Sequence, residues 1–106
     1  MSFDIIDLHC DTIMDCYFNG TKLKDRTGHI NIEKLQKGGC MAQALALFIP
    51  TDGKLGRDGK TLPWDIYLGM LKSWNENVDA NSDVMRRALS AGDIKKNTED
   101  GFMSAC

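Results

Sequence analysis

Three ionisable residues stand at alternate positions near the start of the chain: Asp7, His9 and Asp11, within Phe3-Asp4-Ile5-Ile6-Asp7-Leu8-His9-Cys10-Asp11-Thr12. Successive side chains of a strand point to opposite faces. A strand here puts Asp7, His9 and Asp11 on one face and Ile6, Leu8 and Cys10 on the other. A face with three ionisable groups is wet or holds a cation. An imidazole and a carboxylate two residues apart at a strand end form half of a metal site. His9 and Asp11 are therefore the candidate metal ligands. Asp7 lies deeper in the strand. It either accepts the N–H of a ligand or is a polar strand residue packed near the floor of the fold. The other histidine, His29, follows Gly28 in a polar segment and reads as exposed.

The elements that must hold these residues follow from the pattern. Residues 3–11 read as the first strand. Thr12 to about Phe18 makes one or two helical turns that stop at Asn19-Gly20, and residues 20–29 form a loop. Asn31 is an N-cap for a short helix over Ile32 to Lys37, which Gly38-Gly39 ends. The apolar run 40–49 follows that break and stops at Pro50, which favours a buried strand. A strand apolar on both faces belongs to a parallel sheet covered on both sides. Residues 51–62 are a Gly- and Lys-rich loop without the G-x-x-x-x-G-K-[ST] spacing of a phosphate loop.

Pro63 suits the first turn of a long helix. Ile66, Met70 and Trp74, with Tyr67, Leu71 and Val78 alongside, give it an apolar stripe for the core. A break near Asn81-Ser82 precedes a second short helix, Asp83 to Leu89, and a short turn at Ala91-Gly92-Asp93. Glu76, Asp79, Asp83, Arg86 and Arg87 then read as a solvated helix face. Gly101 introduces a last strand, 102–106. The order β, short helix, β, long helix, β is that of α/β folds with parallel strands. A closed eight-stranded barrel needs about 250 residues.

Size and composition exclude several classes. The chain has 106 residues, 42% hydrophobic and 26% charged, which fits one globular domain. Its net charge is −2 and its basic residues are scattered, so nucleic acid is not an expected partner. No run of about 18 apolar residues is present to span a membrane. No basic segment followed by an apolar core marks an export signal, which points to the cytoplasm. There Cys10, Cys16, Cys40 and Cys106 stay reduced. Their spacing matches no zinc pattern, and Cys10 and Cys40 read as small core residues.

Three blocks resemble a known family. Ile6-Asp7-Leu8-His9-Cys10-Asp11-Thr12 is similar to the opening D-x-H-x-D motif of the membrane (renal-type) dipeptidases, peptidase family M19 of the metal-dependent amidohydrolase superfamily. Ile30 to Gln43, with Leu35, Gly38-Gly39 and Ala42-Gln43, resembles the block that precedes the family's second strand. Ala91-Gly92-Asp93-Ile94 resembles the turn before its third. The blocks occur in family order.

The resemblance implies that residues 1–106 are the N-terminal portion of a TIM-like (β/α)8 barrel and a zinc-dependent dipeptidase homologue. It implies that His9 and Asp11 bind one of two zinc ions. In the family a glutamate at the end of the third strand bridges the two ions, and later histidines complete the second site. The chain is expected to stop before that glutamate. It would then bind zinc weakly and have negligible activity alone. No residue is assigned to bind the dipeptide. Gln43 matches a family position and either borders the cleft or hydrogen-bonds within the sheet. The implied partners are a dipeptide for the complete enzyme, and either a second copy or the remainder of the barrel. A reading from a different class is a non-catalytic assembly module that oligomerises or completes a split barrel. A third is a small independent α/β domain in which D-x-H-x-D is coincidental.

Overall fold

β-branched Ile5 and Ile6 open a strand, Ile5–Cys10 (β1), which Thr12–Asn19 (α1) follows almost at once. The structure is a computed structural model that describes residues 4–24, 28–49, 51–52, 55–56 and 60–106. Phe3 of the expected first strand, and parts of the loops expected over 20–29 and 51–62, lie outside the described residues. Gly20 closes α1 in the left-handed region, with φ 67°, where a side chain would be strained. Ile32–Lys37 (α2) is capped as its sequence requires: Asn31 Oδ1 accepts the N–H of Lys34 at 2.8 Å. Past Gly38-Gly39 the chain enters Cys40–Leu45 (β2). This strand is shorter than the apolar run: Ala46 still donates its N–H to Cys10 O at 3.0 Å, and Leu47–Ile49 lie beyond the strand.

The loop expected next holds a two-residue antiparallel ribbon, Thr51–Asp52 (β3) with Leu55–Gly56 (β4). Pro63–Ala80 (α3) is the long helix, with proline in its first turn. Ile66, Met70 and Val78 are buried, and Trp74 packs against the core half-buried. Tyr67 is turned outward enough to stack on exposed Trp64, with ring centroids 5.2 Å apart. The core stripe is thus narrower than the sequence predicts.

The expected helix over Asp83 to Leu89 does not form. Asn81 O accepts the N–H groups of Val84 and Met85, both at 3.0 Å, and the chain turns into a strand, Met85–Arg87 (β5). The physical reason is tertiary. Met85 pairs with Met103 of the last strand, Met103–Ala105 (β6), and both are buried there. Sheet pairing at a buried position outweighs a weak local preference for helix. Arg86 and Arg87 are therefore strand residues. Arg87 reaches back to Asp79 at 2.8 Å, and Arg86 pairs with Asp100 at 3.0 Å and lies over the Phe102 ring.

The short turn expected at Ala91-Gly92-Asp93 is instead a nine-residue helix, Ala91–Glu99 (α4). Ser90 Oγ accepts the N–H of Asp93 at 3.2 Å, while the Asp93 carboxylate accepts the N–H of Leu89 at 2.9 Å. This reciprocal cap starts a helix that has little apolar stripe of its own.

The result is a mixed α/β fold. Its four-stranded sheet is parallel throughout, in the order β1-β2-β6-β5. β1, β2 and β6 lie side by side as the alternation predicts; β5 is added at the far edge. Helices α2 and α4 both pack on β2. Ile13, Leu23, Leu35, Leu45, Ile66, Met70, Val78 and Met85 belong to one buried cluster. No helix among the described residues is long and apolar enough to cross a membrane.

Candidate functional site

β1 delivers His9 and Asp11 to the C-terminal end of the sheet, the end at which α/β folds build their sites. Asp11 occupies the N-cap position of α1, yet its carboxylate makes no capping bond. It turns instead to His9, and Asp11 Oδ1 lies 2.8 Å from His9 Nε2. Both side chains are open to solvent, 62% for His9 and 44% for Asp11. With the proton on Nε2, the imidazole donates to the carboxylate.

Two ligand atoms each about 2.0 Å from a tetrahedral zinc stand about 3.3 Å apart. The pair therefore has to open by only about 0.5 Å to admit an ion between these atoms. An imidazole nitrogen and a carboxylate oxygen are donors that zinc accepts. The arrangement fits two positions of a zinc site. No cluster of three or more His, Cys, Asp or Glu side chains suited to a metal occurs among the described residues.

Asp7 does not join the pair. The pairing of β1 with β2 slips between Ile5 and Ile6 and again between Asp7 and Cys10. Asp7 Oδ2 accepts from Gln43 Nε2 at 2.9 Å, and Asp7 Oδ1 takes the main-chain N–H of His9 at a long 3.4 Å. It thus braces the backbone under His9 rather than its ring.

Gln43 is only 1% exposed and also donates to Ala44 O at 3.1 Å. Of its two sequence readings, hydrogen bonding within the sheet is the one observed. Its pairing with Asp7 had no signal in the sequence, because 36 positions separate the two residues. Asp7 and Gln43 border a groove of about 340 Å³ that continues over Ile30 and Leu35.

The cysteines are free thiols. Cys10 and Cys40 pack against the core half-buried, as expected of small apolar residues. Burial, then the charges of Asp7, Cys10 and Cys106, pushes the Cys40 thiol up to about 11. Cys40 is protonated at neutral pH and carries no free thiolate there. His29 is exposed, as its loop position predicts. No family model matches the chain, and no curated protein matches it either.

Proposed function

We propose that this chain is the opening portion of a metal-dependent dipeptidase of the (β/α)8 barrel type, and that His9 and Asp11 are two of its zinc ligands. The observation that carries the reading is the contact between His9 Nε2 and Asp11 Oδ1 at the end of a parallel strand. The three sequence blocks that resemble the family support it, and so does the adjacency of β1, β2 and β6 in one parallel sheet. Bound zinc would acidify a water molecule and polarise the scissile carbonyl of a dipeptide. The chain's own residues orient that ion: His9 and Asp11 hold it, and Asp7 and Gln43 steady the strand beneath. Two ligands bind weakly, so this segment needs further donors to act on a peptide. We place the protein in the cytoplasm with its thiols reduced.

Titration calorimetry with zinc, repeated with cobalt(II) absorption, tests this reading. Weak binding is expected, lost in His9→Ala and in Asp11→Ala, with no hydrolysis of L-Ala–D-Ala above the blank. Absence of zinc uptake, or uptake unchanged in His9→Ala, overturns the ligand assignment. Turnover that His9→Ala abolishes overturns the inactivity of the segment.

A second reading, a non-catalytic assembly module, is favoured by one feature. β1 is an edge strand, and its Ile5, Ile6 and Leu8 side chains are 47%, 51% and 81% exposed.

A further inference from the structure

His9 and Asp11 are open to solvent, so no core packing fixes where they point; the main chain beneath them must do it. That main chain is an edge strand, bonded only to β2. It is also irregular where the ligands stand. From Asp7 to Cys10, three steps along β1 match two along β2, from Gln43 to Leu45, and His9 has no register partner on β2. An extra residue of this kind interrupts the ladder and re-aims the side chains beside it. The irregular stretch is held at both ends. Past it, Cys10 O accepts the N–H of Ala46 at 3.0 Å. Before it, Asp7 and Gln43 stand in register and join their side chains.

The second tie has a defined geometry. Gln43 is buried, and its Nε2 donates to Asp7 Oδ2 at 2.9 Å and to Ala44 O at 3.1 Å. An amide nitrogen carries two N–H groups, so both are committed and the amide cannot flip without losing them. Asp7 Oδ2 is thereby fixed, and Asp7 Oδ1 takes the main-chain N–H of His9 at 3.4 Å. The carboxylate links a buried amide of β2 to the backbone at His9.

We infer that Gln43 is a positioning residue for a divalent cation held by His9 and Asp11. It acts through Asp7 on the main chain at His9 and so sets how tightly the pair grips the ion. This rests on the reading of that pair as zinc ligands. Gln43 carries no charge, so its contribution is geometric. By holding Asp7 it also keeps that carboxylate from turning to the cation as a third donor. Partners that orient a ligand without touching the metal are worth about 10–100-fold in affinity. The long bond from Asp7 to His9 puts Gln43 at the lower end, about tenfold.

Zinc calorimetry on the full chain tests this, with cobalt(II) absorption as the spectroscopic check. Gln43→Leu should bind about tenfold more weakly than wild type, with unchanged stoichiometry. In the metal-free chain it should lower the NMR order parameter of the His9 amide. Asn77→Ala, which loses a buried bond between α3 and Leu23 instead, should leave the affinity unchanged. Asp7→Asn is the second variant if Gln43→Leu does not fold. Asparagine has one acceptor oxygen in place of two, so it cannot serve Gln43 and His9 together. Its affinity should fall as well, measured at high salt where the lost charge is screened. Zinc uptake absent from wild type overturns the ligand reading and this inference with it. Uptake by wild type that Gln43→Leu leaves unchanged, or tightens by freeing Asp7 as a donor, overturns the inference alone. So does an unchanged order parameter at His9, or an equal loss of affinity in Asn77→Ala.

Discussion

Gln43 Nε2 donates to Asp7 Oδ2 at 2.9 Å and so couples β2 to β1 just below the imidazole–carboxylate pair. Gln43 is almost fully buried and Asp7 half-buried, so neither group can easily exchange its partner for water. Gln43→Leu keeps the bulk and removes the donor. It should lower stability by about 1–2 kcal/mol in urea denaturation, the usual cost of stranding a polar group. Gln43→Glu should cost more at neutral pH, because it sets one carboxylate against another. That repulsion raises the introduced carboxyl's folded pKa above the unfolded value of about 4.3. Its stability deficit should be absent below that value and grow as pH rises through the folded pKa.

Helices α1 and α3 approach closely at Gly69. A Cβ there would overlap the Tyr17 ring at Cε1, and that ring is held edge-to-face by Phe18 with centroids 4.9 Å apart. Alanine is better than glycine in a helix by about 1 kcal/mol. Overpacking costs about 1–3 kcal/mol and should win. Gly69→Ala should therefore lower the thermal midpoint. In a Tyr17→Ala background the same change should be neutral or stabilising, a non-additivity that a double-mutant cycle measures.

A buried bond ties the loop after α1 to α3: Asn77 Oδ1 accepts the N–H of Leu23 at 2.7 Å. Leu23 is fully buried, so that N–H has no access to water. Asn77→Ala should cost about 1–3 kcal/mol. Hydrogen exchange at the Leu23 amide should also accelerate relative to the amides of β6.

Cys40 makes stability depend on alkaline pH. Its thiol rises from 9.0 to about 11 in the folded chain, mainly by burial. The folded state then holds a proton that the unfolded state releases. The stabilisation is full below about pH 9 and is lost as pH rises towards about 11. Cys40→Ala should flatten that part of a denaturation-versus-pH profile. A parallel profile in wild type and variant would show that Cys40 does not contribute.

Local signals in the sequence established much of this molecule. Asn31 before an apolar pair and Gly38-Gly39 after it delimit α2; Pro63 and the spacing of Ile66, Met70 and Val78 delimit α3. These hold because caps, proline and periodic apolar residues act within a few positions of themselves. The candidate ligands His9 and Asp11 were legible for the same reason: they are two residues apart. Tertiary structure alone decided the rest. Three residues over 85–87 carry too short a pattern to declare a strand, and only pairing with β6 makes them one. Asp7 shares the strand alternation with His9, but its carboxylate bonds to a glutamine 36 positions away. Contacts between residues far apart in the chain are set by how the elements pack, which no local pattern encodes.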